Sequence, residues 1–120
     1  MTLPEEGCLL RIFIGEQDKK DGKPLYEWIV QEAKSFGLAG ATAWRGMMSY
    51  GAESRIHTSK ILRLSADLPV IIEIVDAREK LESFLTKIDD ALISGLATLE
   101  KAQVRFYRGK TQDSTQESNR

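Results

Sequence analysis

Residues Leu68–Val75 read LPVIIEIV, an apolar run interrupted only by Pro69 and Glu73. Its length and its β-branched content are those of a strand. Pro69 suits a strand end, where no ladder donor is needed. Alternation puts Val70, Ile72 and Ile74 on one face, and Ile71, Glu73 and Val75 on the other. Just beyond, Asp76 is placed to cap a helix and Glu79 to complete a capping box. Leu81, Phe84, Leu85, Ile88 and Leu92 then recur at helical spacing as far as Ser94-Gly95. A last strand is predicted over Ala97–Tyr107. Its alternation falters at Lys101–Gln103, where a bulge would return Val104 and Phe106 to an inward face.

Upstream, Cys8–Gly15 (CLLRIFIG) reads as a first strand, with Leu10, Ile12 and Ile14 opposed to Leu9, Arg11 and Phe13. Glu16–Lys23 is a polar connection broken at Gly22, and Pro24 can open a helix because its missing N–H has no partner there anyway. Leu25, Trp28, Ile29, Ala33 and Phe36 form the apolar face of that helix, and Gly37 ends it. After the turn Leu38-Ala39-Gly40, Ala41–Met48 is the second strand. The order β-α-β-β-α-β is the split-βαβ, ferredoxin-like arrangement of an α+β domain. Right-handed crossovers give an antiparallel sheet of order 4-1-3-2 with both helices on one face. The other face then presents Leu9, Phe13, Trp44, Ile71 and Val75 to water, with Arg11 and Glu73 able to pair among them. Apolar patches of that size normally meet a partner, so an oligomer built through open sheet faces is expected.

The 120 residues carry a net charge of −1 and a single cysteine. The charge gives no general attraction to nucleic acid or anionic membrane, and no nucleic-acid partner is expected. Cys8 alone cannot supply a disulfide framework or a thiolate metal cluster within one chain. No apolar stretch approaches the roughly 20 residues that span a bilayer, and MTLPEEG has no secretory pattern, so a cytoplasmic protein is expected. Residues 1–107 read as one domain. The tail 108–120 (RGKTQDSTQESNR) has no apolar side chain and is predicted to be disordered.

The connection Trp44–Pro69 is too long for a plain loop and reads as a binding loop. Arg45, Ser49, Ser54, Arg55, Thr58, Ser59, Lys60 and Arg63 are anion donors, while Gly46 and Gly51 allow close backbone approach. Neither a Walker A pattern nor a strand-to-helix GxGxxG is present. Gly95 reads as a helix terminus that could also turn backbone N–H groups toward an anion. His57 is the only imidazole; neither a nucleophilic triad nor a one-chain metal site can be assembled around it. No resident cofactor is implied.

The blocks LRIFIGEQDKKDGKPLYEWIV, GLAGATAWRGMMSYG, SRIHTSKILRLSADLPVIIEIVD and GLATLEKAQVRFY together resemble the family known as domain of unknown function 190, described as PII-like. The resemblance covers about residues 9–107 and implies a ferredoxin-like fold and a PII-like trimer. Adenine-nucleotide or other small-effector binding between subunits is implied by the wider PII superfamily. By the same resemblance Arg45-Gly46 is the base of a T-loop running through Ser49–Ser65. The turn at Gly95 corresponds to the B-loop, and Arg105 and Arg108 to C-terminal basic residues. Ser49 stands where family members commonly have glycine, and the loop lacks the tyrosine-bearing sequence needed for uridylylation.

The resulting expectation is a non-enzymatic, homotrimeric signalling protein. It is expected to bind an anionic effector, such as a nucleotide, through Arg45, Gly46, Ser49, Gly51, Ser54, His57, Arg63, Gly95, Thr98 and Arg105. The loop then docks on a membrane transporter or other protein partner. A metal-binding trimer of the divalent-cation tolerance type and an enzyme acting on a phosphorylated small molecule are the alternatives.

Overall fold

The computed structural model describes residues 5–50, 57–58 and 67–110. Along the chain these form β1 (Glu6–Gly15), β2 (Lys19–Lys20), β3 (Lys23–Pro24), α1 (Leu25–Phe36), β4 (Thr42–Arg45) and β5 (Met48–Ser49). They continue with β6 (His57–Thr58), β7 (Pro69–Asp76), α2 (Arg78–Ile88), a short 3-10 turn (Asp89–Ala91) and β8 (Leu96–Gln103). The main sheet is antiparallel throughout, in the order β4-β7-β1-β8.

β1 and β7 are the central pair, and their alternation decides what is buried. Leu10, Ile12 and Ile14 of β1 and Val70, Ile72 and Ile74 of β7 face one side. There they pack with Leu25, Ile29 and Ala33 of α1 and Leu81, Phe84 and Ile88 of α2. Both helices therefore cover the same sheet face. Phe36 and Phe84 meet between them at 5.6 Å, in the tilted geometry favoured by aromatic quadrupoles. Gly37 ends α1 in the left-handed region at φ 90°, which a Cβ would penalise.

The structure corrects several boundaries. Pro24 is the N-cap of α1 and also closes a small hairpin with β2. Its turn is Asp21-Gly22, both at positive φ, the backbone that a two-residue hairpin loop requires. The polar connection is thus structured by its Asp-Gly pair. β4 ends at Arg45 because Pro69, next in register, accepts from the Gly46 N–H at 2.8 Å but has no N–H to return. Met48–Ser49 leaves the main sheet and pairs with His57–Thr58.

β8 holds an unbroken register from Phe13↔Leu96 to Glu6↔Gln103, so no bulge interrupts it there. As an edge strand it is exposed along most of its length, which is why it carries little hydrophobic pattern. Beyond it Val104 N–H still donates to Glu5, but Phe106 is exposed rather than inward. Arg108–Lys110 are exposed, with Arg108 over the Phe106 ring at 4.5 Å. The rest of the expected tail, 111–120, lies outside the described residues.

Asp76 does not cap α2. Ala77 is the N-cap position and makes no side-chain cap bond. Asp76 ends β7 instead, its carboxylate buried, accepting N–H bonds from Ala39 at 2.9 Å and Ala77 at 2.7 Å. Lys80 approaches it at 3.7 Å and donates to the Gly37 carbonyl at 2.9 Å. The Tyr107 hydroxyl donates to the Ala39 carbonyl at 2.6 Å. One buried acid thus ties the turn after α1 to the start of α2. Asp76→Ala should lower stability by about 2–3 kcal/mol in urea denaturation, because it strands two backbone donors. A loss below about 0.5 kcal/mol, the range of an ordinary surface change, would show the carboxylate to be redundant.

Candidate functional site

Both stems of the long connection are fastened to the exit of β1. The segment Gly15–Asp18 is itself folded tightly: Gly15 N–H donates to the Asp18 carboxylate at 3.0 Å and Asp18 N–H to the Gly15 carbonyl at 3.2 Å. The Asp18 carbonyl accepts from Leu25 N–H at 2.7 Å, tying this turn to the start of α1. The outgoing stem is held by Arg45, whose guanidinium meets Glu16 at 2.8 Å. The returning stem is held by Glu16 N–H on the Leu68 carbonyl and Gln17 N–H on the Asp67 carboxylate, both at 2.7 Å. Asp67 lies so close over Gly15 that a Cβ there would collide with its carboxylate.

Gly95 sits at this same end of the sheet, just before the Phe13↔Leu96 pair. Its φ of 124° and the closeness of the Phe13 carbonyl both exclude a side chain. With strands about 4.8 Å apart, three steps separate the Arg45–Gly46 edge from the Gly95 edge by roughly 14 Å. The candidate donors therefore stand on opposite edges of one sheet end. Thr98 lies exposed three residues beyond Gly95, opposite Arg11. Arg105 follows β8 beyond the Glu6↔Gln103 pair. It is separated from the Gly95 end by the length of β1, about 30 Å, and within one chain does not join the others. Ser49 is half-buried and pairs through its backbone with His57. Gly51, Ser54 and Arg63 lie outside the described residues.

The sheet face away from the helices has a layered chemistry. Register places Trp44, Ile71, Phe13 and Leu96 in one apolar row, and Thr42, Glu73, Arg11 and Thr98 in the next. Trp44 and Leu96 at the row's ends are exposed by 49% and 58%. Ile71, flanked in register by Trp44 and Phe13, is buried rather than facing water as expected. Arg11 bridges Glu73 and Glu100, at 2.7 Å each. The hydrogen bond to Glu73 comes first among the causes that raise the Arg11 pKa above its ordinary value, with the charge of Glu100 adding to it. Raising an arginine pKa favours the charged form at every physiological pH, so this bridge is a fixed charge cluster.

The family can be read at this point. Residues 7–104 match the model of DUF190 (Uncharacterized ACR, COG1993). The chain belongs to the DUF190 family. A UPF0166 protein of Aquifex aeolicus is 42% identical over 98 residues, covering 82% of this chain and 92% of the relative. A UPF0166 protein of Methanocaldococcus jannaschii is 36% identical over 104 residues, covering 86% and 94%. Among solved structures, CPII of Thiomonas intermedia K12 superposes with a TM-score of 0.64 at 16% identity, covering 82% of this chain and 88% of that one. It is described as a nitrogen regulatory PII-like protein bound to ADP, AMP and bicarbonate. At that identity the likeness establishes the fold alone: this DUF190 chain is a mixed α+β domain whose fold is similar to that of PII-like proteins.

In sequence, Glu16 belongs to a polar connection, Gly15 to a strand end and Asp67 to the long loop, so none of the three stands out. The available signals were an acid directly after a strand end and a second acid directly before Leu68-Pro69. Among the described residues no group of three or more His, Cys, Asp or Glu is placed to hold a metal ion. Gly15→Ala should push Asp67 away, release the Gln17 amide and cost about 1–3 kcal/mol. Denaturation together with amide exchange at Gln17 measures this; unchanged protection at Gln17 would show that the carboxylate does not hold the stem.

Proposed function

We propose that this DUF190 protein is a PII-like regulator. It binds an anionic small molecule of the adenine-nucleotide class at the end of the sheet where β1 exits. The observation that carries the reading is the placement of Arg45 and Gly46 on one edge of that end and of Gly95 and Thr98 on the other. A ring of copies packed through their open sheet faces, in which each chain's β4 edge also reaches its neighbour's β8 edge, would bring the two halves together at every seam. Three copies make the smallest such ring consistent with the trimer that the PII-like resemblance implies. Arg45 supplies a guanidinium for phosphate or carboxylate, and the Gly95 turn supplies close backbone approach.

The nucleotide class is suggested by the ligands named for the Thiomonas protein, ADP, AMP and bicarbonate, on a related fold. In this reading the connection spanning Ser49–Ser65 reports occupancy to a partner protein, a membrane transporter being one such partner. Gly51, Ser54, His57 and Arg63 would then meet the ligand from that connection.

Ligand titration by thermal unfolding tests the reading, since a ligand that binds only the folded state raises Tm with concentration. ADP or AMP should raise Tm, bicarbonate should change the response, and Arg45→Ala should reduce the shift at equal ligand without lowering the ligand-free Tm by more than a surface change would. A Tm indifferent to all three compounds across the millimolar range would reject this ligand class.

A further inference from the structure

Arg45 is the cation on which the proposed anion site turns, yet in the structure it is already engaged. Its Nη2 meets Glu16 Oε2 at 2.8 Å. The two partners are unequal: the Arg45 side chain is 61% exposed and the Glu16 side chain 26%. Glu16 is also anchored, since its own N–H is bound to the Leu68 carbonyl and the N–H groups of its neighbours Gly15, Gln17 and Asp18 are all hydrogen-bonded. Arg45 is the member that can move, and Glu16 is the fixed carboxylate to which it is docked. Exposed single-contact pairs of this kind are weak enough for a ligand to break.

We infer that Glu16 is a specificity-determining residue of this site, an internal anion that occupies Arg45 until a ligand of greater negative charge displaces it. The inference rests on the proposed anion site for its ligand, but not for the latch itself. Two consequences follow from the charges. A monoanion gains little by replacing one carboxylate with another, whereas a diphosphate offers Arg45 more charge and more acceptor oxygens than Glu16 does. After displacement, the Glu16 carboxylate remains beside the ligand and opposes it, so the site is tuned to discriminate by ligand charge. Arg45 is followed directly by Gly46, whose N–H is bound to the Pro69 carbonyl, so loss of the Arg45–Glu16 pair would weaken the hold on that bond. Ligand arrival and the hold on this stem are thereby linked through one guanidinium.

The test compares the full-length wild type, Glu16→Gln, Arg45→Ala, the double variant and Glu82→Gln, which alters a remote surface pair. Affinity for ADP is measured by titration calorimetry, and exchange of the Gly46 amide is measured by NMR without ligand. Glu16→Gln should bind ADP about two- to fivefold tighter than wild type. Arg45→Ala should bind more weakly, and the double variant no better than Arg45→Ala alone. The Gly46 amide should exchange faster in Glu16→Gln, with Glu82→Gln at wild-type values throughout. A purely structural Glu16 would make Glu16→Gln bind more weakly, and equal or weaker binding alongside a weakened Arg45→Ala overturns the inference while leaving the anion site standing. If no form binds ADP, the adenine-nucleotide reading falls and the Gly46 amide decides alone: faster exchange in Glu16→Gln upholds the latch, and unchanged exchange overturns it.

Discussion

A four-stranded sheet with helices on one face only is the constraint from which the rest of this structure follows. Two-residue alternation in β1 and β7 sends Leu10, Ile12, Ile14, Val70, Ile72 and Ile74 under α1 and α2, and necessarily sends Leu9, Phe13, Ile71 and Val75 to the other side. That second face is too apolar for a solvent surface and too charged at its centre for a simple hydrophobic layer. Arg11 between Glu73 and Glu100 leaves one surplus negative charge amid apolar rows. Covering the face with another chain would bury the cluster, which is tolerable only if its hydrogen bonds stay satisfied and a partner group answers the extra carboxylate. A cluster of this kind stabilises less than it selects: a wrongly registered neighbour would strand it.

The same constraint locates the candidate site. Strand exits lie at the ends of the sheet, and the β1 exit gathers both stems of the long connection through one backbone bond, one backbone-to-side-chain bond and one ion pair. Asp67 over Gly15, Glu16 on the Leu68 carbonyl and Gln17 on Asp67 fix the returning stem. The outgoing stem has the Gly46–Pro69 bond and one exposed ion pair. Each stem thus has one backbone–backbone bond and one further contact, and on the outgoing stem that contact is the arginine's ion pair.

The α+β class, the antiparallel sheet and the two helices were legible because LPVIIEIV, CLLRIFIG and the two apolar helical faces are strongly periodic. Edges were less legible. β8 is exposed on most positions, so LATLEKAQ lacks the pattern that sets a register, and a bulge was read where none occurs in Leu96–Gln103. Asp76 met the local rule for a helix cap, but burial and the Ala39 amide, 37 residues away in sequence, gave its carboxylate a tertiary task instead. Arg45, Gly46 and Gly95 were singled out on chemistry and resemblance. Glu16 was not, since an acid among lysines reads as solvated until its distance to Arg45 is known.

The claim on which the account stands or falls is that the open sheet face is covered by further copies of this chain. Sedimentation equilibrium of the full-length protein at micromolar concentration, without ligand, measures this most directly. A single species of three times the 13.5 kDa chain mass is expected, reverting toward one chain when Phe13 is replaced by Glu with the fold retained. A 13.5 kDa species that does not change with concentration would contradict it.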